Sequence, residues 1–284
     1  MKFKESNSSS QIGVEITDVD ISKPLSKDEL NAIYDLWVRN AVAIFPNQKL
    51  SHTEYNDFAM QFGSFGDESF LTPMKSQIHI VELRRKATEE AMHFGGSWHS
   101  DWSFQPSPPA ATMLHSKIIP PFGGDTLFSN SALAYDEMSS EMKDKIQNLK
   151  GIHSAKLPYA DNGFYALENK KRTMKIKSSK SANKQHLHPI VREHLDTKRK
   201  SLFINPVYTI GIEGMDDMEA FEFLSELFEH MTQDKYIYRH KWKEDMLIMW
   251  DNRSVMHMAE GGYDGYERLM HRITIAGEIP IESI

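Results

Sequence analysis

The sequence contains no cysteine, which excludes disulfides, thiolate metal sites and cysteine nucleophiles. No stretch approaches the roughly 20 apolar residues needed to span a bilayer, and the polar residues 1–10 lack the apolar centre of a secretory signal. Charge of one sign is not in large excess. Against 33 Lys and Arg stand 40 Asp and Glu, a net charge of -7 that gives no general pull towards nucleic acid or anionic lipid. Neither a GxGxxG pattern nor a P-loop is present. The expectation is a soluble, cytoplasmic protein with no nucleic-acid and no membrane partner. Its chemistry must come from His, Asp, Glu and hydroxyl groups.

What is there suits a globular chain. Of 284 residues, 40% are hydrophobic and 26% charged, enough to bury about three quarters of the unfolded surface. No repeat and no linker breaks the sequence, so a single domain, 1–284, is expected. Two capping boxes, Ser26-Lys27-Asp28-Glu29 and Ser51-His52-Thr53-Glu54, open helices. A third helix starts at Ser139 or Ser140. A fourth spans 217–232, with Phe221, Leu224, Phe228 and Met231 expected on its apolar face. Strands are expected at 42–45, 78–83, 110–115, 126–129, 202–205, 236–242, 246–250 and 268–276. Many short strands with a few helices predict a mostly β fold with flanking helices, of the sandwich or jelly-roll kind. The run 170–184 carries seven basic residues and no acid; it reads as a solvated loop, next as a flap over an anionic substrate, and last as a nucleic-acid contact, which would usually come with a basic domain.

Thirteen histidines offer many candidates, so spacing must choose among them. In Trp98-His99-Ser100-Asp101, two residues on a strand would point the same way and reach one metal ion. His257, in the stretch WDNRSVMH at 250–257, is the best third ligand. Two histidines and a carboxylate make the facial triad of non-haem Fe(II) oxygenases, although zinc hydrolases use the same set. Arg268 and Arg272 lie four apart on an expected strand and share a face. Buried guanidinium groups need anions, supplied either by internal acids or by ligands. His93, His115, His153, His186, His188 and His271 read as packing residues, with His93 near enough to the metal segment to line a pocket. Trp102 and Trp250 also read as packing residues.

The motifs together resemble the TauD/TfdA family of Fe(II)- and 2-oxoglutarate-dependent dioxygenases. The resemblance runs from Ile12-Gly13-Val14-Glu15-Ile16 to Gly277. Its most specific stretches are 98–101, 120–128 (PPFGGDTLF), 250–257 and 268–274 (RLMHRIT). It implies a double-stranded β-helix (jelly roll) core and use of Fe(II), 2-oxoglutarate and O2. It also implies His99, Asp101 and His257 as iron ligands, Thr126 and Arg268 on 2-oxoglutarate, and Arg272 on the anionic group of the primary substrate. A homo-oligomer, dimer or tetramer, is a further implication. Taurine dioxygenases carry Asn where this chain has Gly95, and a His and a Tyr in the loop where it reads Asp67-Glu68-Ser69-Phe70-Leu71-Thr72-Pro73. Phe104 is retained and is expected on the pocket wall beside Gly95. The expected substrate is therefore a small organic anion other than taurine (a sulfonate, sulfate, carboxylate or phosphonate), hydroxylated with release of succinate and CO2, with cleavage where the carbon bears a heteroatom. The alternatives are a hydrolase using the same triad and a non-catalytic anion-binding protein.

Overall fold

The computed structural model describes residues 1–168 and 170–282. Both capping boxes form as expected: Ser26 and Ser51 each accept a backbone N–H and are met by Glu29 and Glu54 in return. They start the helices Lys27–Asn40 and His52–Met60. The third helix is Ser140–Ile146, and the fourth is Asp217–Met231.

Seven strands form the main sheet, in the order Lys2–Glu5, Val14–Thr17, Val42–Phe45, Leu247–Asp251, Ala111–Ile118, Arg268–Ile275 and Val81–Arg85. Only the pairing of Val14–Thr17 with Val42–Phe45 is parallel. Late strands insert between early ones: Leu247–Asp251 pairs with both Val42–Phe45 and Ala111–Ile118. A smaller sheet, ordered Ile237–His240, Thr126–Asn130, Val255–Ala259, completes the jelly roll. Trp37 and Ile33 of the first helix and Phe58 of the second pack against Val14, Phe45, Met113 and Met249 of the main sheet. The helix Asp217–Met231 covers a second apolar cluster with Ile204, Ile212 and Met256.

Several boundaries differ from expectation, for local reasons. The strand expected at 78–83 is Val81–Arg85, because 74–80 closes on itself through Met74 N–H to Ile80 O and Ile80 N–H to Gln77 O. The strand expected at 202–205 is Lys200–Leu202; Asn205 leaves the ladder to take a turn, its side chain accepting from Tyr208 N–H. On the fourth helix Phe221 is 68% exposed, and the buried stripe is Ala220, Phe223, Leu224, Leu227 and Met231. Leu224 and Met231 are buried as expected and Phe228 packs against the same cluster, so only Phe221 departs from the expected face. The helix Ser131–Asp136 is too short to show a periodic signal. No helix among the described residues is long and apolar enough to cross a membrane.

Candidate active site

The first departure concerns the metal segment itself. His99 and Asp101 do not share a regular strand. His99 makes a single antiparallel bridge to His257, and Asp101 lies in the following turn. In that bridge His99 N–H donates to His257 O at 3.0 Å and His257 N–H to His99 O at 2.8 Å. Residues paired in this way present side chains on the same face, and the two imidazole centroids stand 4.2 Å apart. The chain then turns at Trp102, whose φ of 45° is a left-handed conformation that a bulky residue adopts only when its surroundings enforce it. Here the indole is fully buried and donates to Glu68 at 2.9 Å. Asp101 opens that turn, with its carboxylate facing both imidazoles.

Ligand atoms of His99, Asp101 and His257 all lie within 4.8 Å of one another, and all three residues are buried. Asp101 Oδ1 is 3.6 Å from His99 Nε2, and Oδ2 is 3.8 Å from His257 Nε2. Burial drives the His257 imidazole down to about 3 and also lowers His99, so both rings are neutral at physiological pH. His99 Nδ1 lies 2.7 Å from Ser97 O; a carbonyl only accepts, so Nδ1 carries the proton and Nε2 presents its lone pair. Burial alone would raise the Asp101 carboxyl, but Arg272 and the neighbouring donors outweigh it and hold the group at about 2. A carboxylate beside two neutral imidazoles is the donor set that Fe(II) takes.

The carboxylate is held from behind by Thr112 and Asn252, to which sequence reading gave no role, and through them by Trp250, expected only to pack. Thr112 Oγ1 donates to Asp101 Oδ2 at 2.6 Å, Asn252 Nδ2 donates to Thr112 Oγ1, and Trp250 Nε1 donates to Asn252 Oδ1. Asn252 lies within the 250–257 stretch, but Thr112 is legible only from sheet register, which sets it opposite Trp250 and Thr274. The same stretch has a structural half. Asp251, wholly buried, is bound by Arg253 and by His194.

Two cavities meet at Phe94, Gly95 and His99. Gly95 has φ +76°, which favours glycine, and its missing side chain leaves the junction open. The first cavity is lined by His99, Asp101 and His257 together with Thr126, Arg268 and Arg272. Thr126 Oγ1 accepts from Trp242 Nε1 at 2.9 Å, so its own proton is free to point into the cavity. Arg268 is buried, and its one hydrogen bond is a 3.3 Å contact to Gly124 O. Its Nε has no partner. The other arginines on that wall have acids: Arg84 pairs with Glu267, Arg85 with Asp264 and Arg172 with Glu168. The basic run 170–184 reaches this cavity through Arg172 and Met174, pinned by Lys170 on Glu90 and by a bridge of Ile176 to Leu71.

Arg272 departs from expectation in the opposite way. Its Nη1 donates to Glu68 Oε2 at 3.0 Å, and its Nη2 lies 3.1 Å from Asp101 Oδ1, at an angle that makes an ion pair but no hydrogen bond. The second cavity carries no Lys, Arg, Asp or Glu; its walls include Phe94, Tyr159, Tyr165, Val207 and Tyr208, with His93 at one side. Phe104 lines neither cavity. It packs against Tyr208 at 5.0 Å between ring centroids and against Trp102 at 5.5 Å, and it is Tyr208 that makes the ring contact with His99. His115, His153, His188 and His271 are packing residues as expected, all buried.

The family model described as taurine catabolism dioxygenase TauD, TfdA family matches residues 4–274. The chain belongs to that family. It is similar to the alpha-ketoglutarate-dependent 2,4-dichlorophenoxyacetate dioxygenase of Cupriavidus pinatubonensis, 32% identical across 85% of this chain and 86% of that one. An alkylsulfatase of Acinetobacter baylyi is 30% identical across 95% and 83%. Among solved structures, AAD-2 in complex with Mn(II) and N-oxalylglycine superposes with a TM-score of 0.83 at 26% identity, covering 100% of both chains. As a TauD/TfdA member with its His-Asp-His cluster intact, this protein is an Fe(II)- and 2-oxoglutarate-dependent dioxygenase.

Proposed function

We propose that this TauD/TfdA dioxygenase oxidises a C–H bond of a small organic anion that carries an apolar body. His99, Asp101 and His257 hold the iron, while Arg268 and Thr126 hold the far carboxylate of 2-oxoglutarate. The observation that carries the cosubstrate assignment is Arg268: a buried guanidinium that forms no ion pair among the described residues, Asp125 acting on it only from farther off while paired with Arg239, facing the cavity of the metal ligands. Such a group needs an anion, and a planar fork matches a carboxylate. A hydrolase built on the same triad has no use for it.

Iron and 2-oxoglutarate, when bound, supply the oxidising chemistry, in which O2 is consumed, 2-oxoglutarate becomes succinate and CO2, and C–H becomes C–OH. The protein positions and excludes. The imidazoles enter neutral, so no proton needs to leave them on metal binding. Thr112 and Asn252 fix the Asp101 carboxylate. The aromatic chamber beside His99 takes the apolar body and keeps water from the reacting carbon. The relatives named above act on an aryloxyacetate and on alkyl sulfates by their names; each such compound joins an anionic group to an apolar body, which suits this chamber. A product hydroxylated at a carbon bearing oxygen, nitrogen or sulfur would then collapse and release that group. We further assign a single-domain, cytoplasmic enzyme that works as a homo-oligomer without nucleic-acid or membrane partners.

The test is an anaerobic optical difference spectrum of the Fe(II) protein with and without 2-oxoglutarate. A visible charge-transfer band is expected, and Arg268→Ala should demand far more 2-oxoglutarate to produce it. Iron bound without any band would sink the assignment.

A further inference from the structure

Arg272 is the arginine that the family resemblance offers to the acid group of the substrate, yet here its charge is already matched. Glu68 makes the match. It sits in the loop between the helix His52–Met60 and the strand Val81–Arg85, and the backbone there runs beside the end of the strand Arg268–Ile275. Ala276 N–H donates to Ser64 O, Phe65 bridges Ile275, and Gly66 N–H donates to Thr274 O at 2.8 Å. A side chain at position 66 would place its Cβ 2.6 Å from Thr274 Oγ1, so glycine is what lets the loop lie this close. The loop thereby delivers Glu68 to Arg272 in a fixed position.

The carboxylate is fully engaged. Oε2 accepts from Trp102 Nε1 at 2.9 Å and from Arg272 Nη1 at 3.0 Å, and Oε1 accepts from Thr274 Oγ1 at 3.2 Å. Burial raises the Glu68 carboxyl above its ordinary value, while the Arg272 charge and the donated hydrogen bonds oppose that shift; indole and guanidinium can only donate, so the contacts made here are those of a carboxylate. The Trp102 ring also lies under the Arg272 guanidinium, 5.0 Å from its carbon. When Asp101 commits its charge to a metal ion, Glu68 still balances Arg272 one to one. A substrate acid at Arg272 would have to enter beside two carboxylates or expel one that holds three hydrogen bonds in a buried site.

We infer that Glu68 is a specificity-determining residue. It neutralises Arg272 and closes it to anions, so that the substrate's acid group lies away from this arginine while the apolar body occupies the aromatic chamber. The inference rests on the dioxygenase reading of the site, and it runs against the usual expectation for Arg272.

The probe is methanesulfonate, small enough to reach a guanidinium and carrying no apolar body to bind elsewhere. It is titrated into the anaerobic Fe(II)–2-oxoglutarate enzyme, with tryptophan fluorescence and thermal stability as readouts, because Trp102 touches both Glu68 and Arg272. The native enzyme should show no saturable response at millimolar concentrations, whereas Glu68→Gln and Glu68→Ala should bind at least about tenfold more tightly than any native response. Two variants are used because Gln can still accept from Nη1, while Ala also empties the space. Methanesulfonate binding to the native enzyme would overturn the inference. So would indifference of both variants, provided they retain the 2-oxoglutarate charge-transfer band as proof of a folded, loaded site. Loss of that band in the native enzyme would instead indict the dioxygenase reading.

Discussion

The strand Arg268–Ile275 carries two buried arginines four residues apart, and its two ends solve the same electrostatic problem in opposite ways. At one end Arg268 has a carbonyl contact and no ion pair among the described residues. At the other, Arg272 has Glu68 and Asp101. Sequence period alone puts both on one face and makes them look equivalent. The difference is that an arginine left without an acid inside a protein waits for a ligand, whereas one given two acids is part of the frame. Desolvation lowers the Arg268 guanidinium from its ordinary value, while the Asp101 and Glu68 charges outweigh burial and raise Arg272.

The comparison breaks most visibly at the framed end. Arg272→Ala leaves Glu68 buried with no cation, and removing one partner of a buried pair costs about 3–5 kcal/mol. At roughly 2–4 °C per kcal/mol for a chain of this size, the melting temperature should fall by about 10 °C. Adding Glu68→Ala should recover part of that loss, because the orphaned charge goes with it; calorimetry on the double-mutant cycle measures the coupling. A melting temperature unchanged in Arg272→Ala would mean that the ion pair does not hold in solution.

What the sequence made legible follows the same division between local and non-local causes. Both capping boxes, the central strands and the jelly-roll class could be read because caps and short apolar runs are local signals. Thr126, Arg268 and the three candidate metal ligands could be read from motif resemblance, and the structure gathers all five around one cavity. The geometry behind the His99-Asp101 pair was not legible: a bridge to His257 and a left-handed turn at Trp102 replace the expected strand. Glu68 was overlooked because it is one acid in an irregular loop, brought to Arg272 by three backbone ties that no periodicity announces. Two signals were available: the 67–73 loop departs from the taurine-dioxygenase pattern, and two arginines facing inward must find two anions. Phe104 was misplaced because a retained residue says nothing about which ring stands in front of it.

The waiting end should respond in affinity and not in stability. Arg268→Ala removes a cation that has no acid partner to strand, so unfolding in urea should shift by less than about 1 kcal/mol. The loss should appear in the KM for 2-oxoglutarate, which should rise roughly 10²-fold, the scale for truncating one side of a buried charge-assisted contact. Steady-state oxygen uptake at varied 2-oxoglutarate checks this. A large fall in stability with unchanged KM would exchange the roles of the two arginines.

The smallest expected effect lies between the two ends, at the metal ligands. An ordinary imidazole, with a pKa near 6.5, is only about one quarter neutral at pH 6; two such ligands would weaken metal binding by about tenfold between pH 7.5 and 6. Burial holds His257 at about 3 and lowers His99. The neutral forms are therefore already present, and metal binding should displace few imidazole protons in that window. Mn(II) affinity, measured by calorimetry in two buffers of different ionisation enthalpy, should change by less than about twofold over that pH range. The dependence appears only in acid. As pH falls towards about 3, His257 takes up its proton and metal binding fails, while the stabilisation from Asp101, present above its ordinary 3.8, is lost as pH falls through about 2. A tenfold pH dependence near neutrality would show instead that water reaches the imidazoles, and with it that the cavity around Arg268 is wetter than its burial implies.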